Sequence, residues 1–335
     1  MFMDKFISIV IPNFNAAATI GKCLKAALAS KYANFEVVVV DDGSTDNSVE
    51  LIKRHPVRLI RLDRRRGAAA ARNRGAENSR GEILFFIDAD CLLREDALTL
   101  ANKAMARDPD AVIGGTYTRL PFDSDFFSAF QSLFIHYSET KRAEPDYIAT
   151  HAMVISAGLF RASGGFTEEF LPILEDVEFS HRLRRSGTRL VMKPELQVTH
   201  IFNFNLSKSL ANALRKSMYW TVYSLANRDL LKDSGTASWE LKVNVAAFCL
   251  NALLVALWLY SGKTGYLAAA AFIFTVNLFL SCGMLSSFFR AKGCGFTIKA
   301  ALYYTLIYPF AVGAGAFAGV LKHVLNRGRK RIGIS

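Results

Sequence analysis

The amino-terminal part of this chain predicts an α/β layer fold, a mostly parallel sheet with helices on its faces. Two observations carry that expectation. Short apolar runs of strand length alternate with longer stretches of helical period. Several runs also stop abruptly on amide or acid side chains: 6–11 before Asn13 and Asn15, 35–40 before Asp41 and Asp42, and 83–87 before Asp88 and Asp90. In such a sheet ligands bind beyond the carboxyl ends of the strands, so these clusters are the candidate site. A third observation divides the chain, because charged residues dominate before about Trp239 and apolar ones after it.

Run 6–11 reads as a buried strand closed by Pro12, followed by a helix over 17–30. Run 35–40 is a β-branched strand ending on Asp41-Asp42-Gly43-Ser44-Thr45-Asp46. Gly43 relieves a tight turn there, and Ser44, Thr45 or Asp46 can cap a helix over 47–53. Residues 57–61 form a third strand, and Gly67 opens an Ala-rich helix over 68–79 that carries Arg72, Asn73 and Arg74. Alternation along the next strand places Asp88 and Asp90 on one side of its tip. There they suit hard-oxygen ligation of Mn2+ or Mg2+; a solvated Asp-rich turn is the plain alternative. Asp41 or Asp42 suits hydrogen bonds from a base or ribose, and Arg72 suits a diphosphate. An ordinary turn and a solvated helix face are the bland readings of the same residues, the latter above all for Arg74.

Pro12-Asn13-Phe14-Asn15, the 41–46 segment, Gly67 with Ala71-Arg72-Asn73, and Phe86-Ile87-Asp88-Ala89-Asp90 together resemble family 2 glycosyltransferases, over roughly the first two-thirds of the chain. The resemblance implies a GT-A fold (a Rossmann-like mixed sheet with flanking helices), a nucleotide-sugar donor, most commonly a UDP-sugar, and inversion at the anomeric carbon. It also implies a divalent cation, Mn2+ or Mg2+, with Asp90 as its main ligand and Asp88 holding the metal, the donor sugar or the ribose. Asp42 is implied to contact the base, in a nucleotide pocket shaped by Pro12, Asn13, Asn15, Asp41 and Arg72.

Residues 111–117 read as another strand. Gly164-Gly165-Phe166 then precedes a helix over 174–183 with Glu175, Asp176 and Glu178 in its first turn and Arg184 and Arg185 before Gly187. Acids first and bases last complement the helix dipole on their own. The segment also resembles the family's acceptor site, which implies Asp176 as catalytic base with Glu175 beside it among the donor-binding residues; the family usually has Asp at Glu178. His200 closes a later strand, as a third metal ligand, a diphosphate donor or a satisfied interfacial histidine. His151 and His181 read as structural.

The 335 residues carry a formal net charge of +12 and are 51% hydrophobic, room for one large domain and more. The charge suits an anionic partner, whether nucleic acid, a phosphorylated substrate or an anionic lipid surface. Nucleic acid is set aside, since it leaves the apolar last third unexplained. The five cysteines show no metal-ligand spacing and read as reduced small hydrophobes. The charged start over 1–5 leads straight into a strand, without a signal-peptide pattern, so the first domain is expected in the cytosol.

Residues 206–231 interleave Lys208, Arg215, Lys216 and Arg228 with Leu206, Leu210, Leu214, Trp220 and Tyr223. That pattern suits helices lying on an anionic membrane surface or packed on the catalytic domain. Runs 243–260, 266–285 and 301–321 each approach the length needed to cross a hydrocarbon core of about 30 Å. Ser261-Gly262-Lys263-Thr264-Gly265 makes a hairpin of the first two, and Arg290, Lys292 and Lys299 belong on the cytosolic side. Three crossings would export the basic tail 327–331 against the positive-inside tendency, so the third run, broken by Pro309, is re-entrant or carries the tail across. Gly313, Gly315 and Gly319 allow close helix packing, including between subunits of a homo-oligomer. The expected organisation is a catalytic domain over 1–203, interfacial helices over 204–238, and two to three transmembrane helices over 239–335, multi-pass in the inner (cytoplasmic) membrane.

The expected activity is an inverting, metal-dependent glycosyl transfer to a membrane lipid or lipid-linked acceptor hydroxyl. A polyprenyl-phosphate sugar synthase is the nearest rival, because a phosphate acceptor needs no base. A processive polysaccharide synthase lacks apolar sequence for an export channel. A silent membrane scaffold leaves Asp42, Asp88, Asp90 and Asp176 without purpose.

Overall fold

The computed structural model describes residues 4–168 and 172–331; the charged start before Asp4 and the side chains of the basic tail lie outside the described residues. The chain divides into two compact units. The first runs to Ser124 and resumes over Glu139–Asn203, and the second takes Asp125–Ser138 and the chain from Phe204 onward. Residues 125–138, read in sequence as part of the catalytic stretch, thus cluster with the later helices.

In the first unit β1 (Ile7–Asn13), α1 (Ile20–Leu28), β2 (Phe35–Asp41), α2 (Ser48–Ile52), β3 (Arg58–Arg61), α3 (Ala68–Glu77) and β4 (Ile83–Phe86) alternate as expected. β1 pairs in parallel with β2 and with β4, and β2 with β3. Val10, Val38, Val40, Phe85 and Phe86 are wholly buried, which is why these strands read as unbroken apolar runs: both faces of a parallel sheet are covered.

β5 (Cys91–Leu93), α4 (Ala97–Arg107), β6 (Val112–Tyr117), α5 (Phe126–Thr140), β7 (Met153–Ser156), α6 (Ala157–Ala162), α7 (Glu175–Arg185) and β8 (Leu190–His200) follow. The strand order is β3-β2-β1-β4-β7-β6-β8-β5. β7 lies antiparallel to both β4 and β6, and β5 antiparallel to β8. β6 and β8 are again parallel, so the sheet is mixed with most of its pairs parallel, as a GT-A fold implies.

One local expectation needs correcting. β4 stops at Phe86, and Asp88 and Asp90 lie in the turn to β5, which the Cys91 amide closes on the Asp88 carbonyl at 3.0 Å. The turn, not strand alternation, brings the two acids together. So short a link also leaves no room for the crossover a parallel neighbour requires, and β5 joins the far edge of the sheet instead.

The second unit contains most of α5, then α8 (Leu206–Asn227), α9 (Trp239–Ser261), α10 (Gly265–Leu280), α11 (Cys282–Leu302), a π-turn over Tyr303–Ile307, and α12 (Tyr308–Arg331). Asn205 caps α8 by accepting from the Lys208 amide, and Ser238 caps α9 by accepting from the Leu241 amide. Phe126, Phe127 and Phe130 of α5 pack on Tyr303 with ring centroids 5.9, 5.3 and 4.9 Å away.

Two helices, Trp239–Ser261 and Cys282–Leu325, are long and apolar enough to cross a membrane. Three separate runs were expected. The middle one ends at Leu280 as a 16-residue helix, about 24 Å long against a core of about 30 Å. Gly293, at φ 74° and ψ −174°, interrupts the stretch that begins at Cys282, and the third run lies in the helical segment that follows this kink. Pro309 lacks an N–H for the Thr305 carbonyl, and the π-turn immediately ahead of it widens the helix where that bond is missing. A Cβ at Gly315 would strike Ser217 and Leu214, and one at Gly319 would strike Met218 and Thr221. Gly315 and Gly319 thus let α12 approach α8 closely within one chain, the close helix packing expected of them.

Candidate active site

The tips of β1 and β2 form a hydrogen-bonded knot. Asn13 Nδ2 faces Asp41 Oδ1 at 2.8 Å, Ser48 Oγ at 3.1 Å and Ser44 Oγ at 3.2 Å. Asp41 is fully buried and also accepts from the Ser44 amide, so its carboxylate supports the turn and does not line the cavity. Asn15, at φ 50°, accepts from the Thr45 amide at 2.8 Å and the Asp46 amide at 3.3 Å, tying the two tips together. Asp42 plays a different part. Its oxygens accept from the Arg66 amide at 2.6 Å and the Gly67 amide at 2.8 Å, and it stands on the wall of a cavity of about 310 Å³. Pro12, Asn13, Arg72, Asp88 and Asp90 line the same cavity, a volume suited to a small ligand.

Sequence reasoning missed two lining residues, Phe14 and Arg65, whose guanidinium lies 4.1 Å from the Phe14 ring centroid. The signal for Phe14 was its place inside the Pro12–Asn15 motif; Arg65 carries none.

Arg72 joins three elements. Its Nη2 donates to Asp88 Oδ1 at 2.6 Å and its Nη1 to Glu175 Oε1 at 2.5 Å, with 5% of the side chain exposed. A guanidinium forks naturally between two carboxylates, and its burial makes both pairings compulsory. The start of α7 is thereby tied to the aspartate turn.

Leu174, just before α7, holds a left-handed φ of 77°, strain of the kind that collects at functional sites. Asp176 Oδ1 accepts from the Val177 amide at 2.8 Å, and Oδ2 from the Thr150 amide at 3.4 Å. The Gly164-Gly165-Phe166 motif has a structural reason. Asn73 of α3 accepts from the Phe166 amide at 2.9 Å and donates to its carbonyl at 2.8 Å, while Arg182 of α7 donates to the Ser163 and Gly165 carbonyls. Gly165 sits at φ 69°, where a Cβ would press on Asn73 Oδ1. Beneath the motif the Phe166 ring packs on Phe86 at 5.3 Å and Phe179 at 4.7 Å.

The acids differ in proton affinity. Burial alone would raise the Asp88 carboxyl, but Arg72 foremost, then His151, hold it below its ordinary value. Asp90 is pushed up to about 7, by burial first and by the Asp88 charge next. Asp176 is pushed up to about 6, by burial and then by Glu175. The Asp90 side chain is 41% exposed, and His200 Nε2 stands 3.4 Å from its Oδ1. A divalent ion would offset its charge, and a carboxylate with an imidazole beside it is a fitting donor set for Mn2+.

The His200 ring stacks on Phe202 at 3.9 Å and meets Tyr117 at 4.9 Å. His151, set aside in sequence, stacks on the other ring partner of that cluster, Tyr117, at 4.0 Å and faces Glu139 at 3.4 Å. Burial pulls the His151 ring down, and Glu139, then Asp88 and Asp176, bring it above its usual value. His181 faces Asp146 at 3.5 Å.

Residues 8–163 match the family model described as glycosyl transferase family 2. The glycosyltransferase GlyG of Streptococcus pneumoniae serotype 4 is 34% identical over 131 residues, 37% of this chain and 44% of that protein. The UDP-Glc:alpha-D-GlcNAc-diphosphoundecaprenol beta-1,3-glucosyltransferase WfgD of Escherichia coli is 30% identical over 117 residues, 34% of this chain and 46% of that one. The chain thus spans under half the length of these relatives. The mannosyltransferase PcManGT of Pyrobaculum calidifontis, solved with GDP-Man and Mn2+, shares the fold at a TM-score of 0.59, with 19% identity over 97% of this chain and 88% of that one. Over residues 8–163 the chain is thus similar to family 2 glycosyltransferases, and its mixed sheet shares the GT-A fold of the solved mannosyltransferase.

Proposed function

We propose that this chain is an inverting, metal-dependent glycosyltransferase that moves a sugar from a nucleotide-sugar, a UDP-sugar first among them, to a hydroxyl of a membrane lipid or lipid-linked acceptor. The observation that carries the reading is the Arg72 bridge, which holds Glu175, and with it Asp176, to the turn bearing Asp88 and Asp90. WfgD, by its name, uses a UDP-sugar and a diphosphoundecaprenol-linked acceptor; the two helices long enough to span a membrane agree with an acceptor of that kind.

In this reading Asp42, Pro12 and Asn13 receive the nucleoside, while Asn15 and Asp41 keep the strand tips in place. Asp90 and His200 hold the cation, with Asp88 steadied by Arg72 beside them. A cation held there would offset the negative charge that builds on the departing nucleoside diphosphate. Ionised Asp176 takes the proton of the acceptor hydroxyl as that oxygen bonds to the anomeric carbon. The bond from that carbon to the diphosphate breaks in the same displacement, from the opposite face, and the configuration inverts. No covalent enzyme intermediate is required. Residues 1–203, apart from the α5 segment, form the catalytic domain, and the later helices hold it at the cytosolic face of the membrane.

The test is a panel of nucleotide sugars incubated with membrane lipid extract, with and without Mn2+. Metal-dependent transfer to lipid that is lost in Asp176→Asn supports the reading. Full transfer by Asp176→Asn refutes the assigned base and favours a phosphate acceptor, which has no proton to give up.

A further inference from the structure

We propose that Cys91 belongs to the cation site, so that Asp90, Cys91 and His200 offer one oxygen, one sulfur and one nitrogen to a single ion and select manganese and the softer divalent cations over magnesium. The inference rests on the metal reading of Asp90 given above and extends it to a residue that neither the strand-tip pattern nor the family resemblance marks.

Register supplies the first argument. β5 and β8 are antiparallel, and Cys91 and His200 are directly opposed Cα partners. Directly opposed residues project from the same face of a sheet. Distance supplies the second. Asp90 Oδ1 lies 3.8 Å from Cys91 Sγ and 3.4 Å from His200 Nε2, and the three donor atoms all fall within 4.8 Å of one another. Donors bound tetrahedrally at ordinary metal–oxygen, metal–nitrogen and metal–sulfur lengths stand about 3.3–3.6 Å apart, so Asp90 and His200 already have that spacing and the sulfur closes on them by a side-chain shift of up to about 1 Å.

Chemistry supplies the third argument. Mg2+ prefers oxygen ligands and keeps its waters, whereas sulfur and imidazole favour cobalt, zinc and cadmium, with manganese between. Cys91 is wholly buried, so its sulfur is shielded from bulk oxidants and faces the aspartate. Coordination would replace its S–H bond with a sulfur–metal bond and release the proton to the buffer.

The full-length chain, with the exposed Cys249, Cys282 and Cys294 changed to serine, is titrated with Co2+ and watched for a sulfur-to-cobalt charge-transfer band. The band is expected. It should vanish in Cys91→Ser and persist in Cys23→Ser, whose thiol instead reaches the Asp88 carbonyl at 3.6 Å. Cd2+ affinity should fall about 10–100-fold in Cys91→Ser while Mg2+ affinity stays put. Cobalt binding without a sulfur band in the parent protein, which needs no variant at Cys91, overturns the proposal and leaves the Asp90 reading intact. An unchanged Cd2+ affinity in folded Cys91→Ser does the same. If no divalent cation binds at all, or if Asp90→Asn binds as well as the parent, the metal reading fails with it.

Discussion

The two units satisfy their side chains by opposite rules. Among the described residues of the first, Leu120 and Phe122 are the large apolar side chains left half-exposed, while its charges crowd the tips of buried strands. The second leaves Leu259, Tyr260, Phe272, Phe279, Phe310 and Phe317 between 66% and 92% exposed. It also turns its amides inward: Asn277 Nδ2 donates to Asn244 Oδ1, and Asn244 Nδ2 to the Tyr304 carbonyl, each at 2.7 Å. A chain in water gains from hiding apolar surface, whereas helices in hydrocarbon gain from hiding polar groups and packing on small residues. The first unit is built for water around a polar cleft, and the second suits an apolar surround.

The comparison breaks most sharply at the acids. Asp176→Asn and Asp90→Asn should each lower transfer about 10²–10⁴-fold. Asp90→Asn should also melt higher than its parent when metal-free. Partial burial and the Asp88 charge raise the Asp90 carboxyl toward about 7 in the folded protein, an effect that solvent at its 41%-exposed side chain weakens. The folded state therefore holds the proton more tightly, and stability is lost as pH rises from about 4 through 7. The gain from the amide should be present at pH 8 and absent at pH 4, as thermal scans will show.

Arg72→Met comes next. It strands Asp88 and Glu175 without their cation and should cost about 3–5 kcal/mol in denaturant titrations. In the second unit Gly315→Leu drives a side chain into α8 and should cost about 1–3 kcal/mol in detergent melts, leaving the proposed cation and nucleotide binding by the first unit unchanged. The smallest effect is a displacement along the pH axis. With Asp176 as the proposed base, transfer should rise with pH through about 6. Glu175→Gln removes the neighbouring negative charge that raises Asp176, so the acid limb of the rate profile should move to lower pH.

What the sequence showed follows from range. β1, β2 and β4 were legible because each is a continuous buried run ending on a polar residue, a signal contained in a few neighbours. β5 and β7 were not: three and four residues long, they are strands only because of partners far along the chain. The polar cluster at the strand tips was legible for the same local reason, yet the division of labour within it was not. Asp41 and Asp42 are adjacent in sequence, but one supports the turn and the other faces the cavity. Arg72, suited by chemistry to a diphosphate, pairs with acids 16 and 103 positions away, which no window of sequence reveals. The membrane-length runs were visible in composition, but their ends depended on Ser281, Pro309 and the non-helical Gly293.

The helix α5 has a practical consequence. It interrupts the catalytic sequence, yet Phe130 and Phe134 are buried against Tyr303, Tyr304 and Tyr308. A protein cut after residue 203 would keep this aromatic helix and lose the tyrosines that cover it, inviting aggregation of an otherwise sound domain. Anyone seeking a water-soluble catalytic fragment must replace 125–138 with a polar bridge as well as remove the later helices.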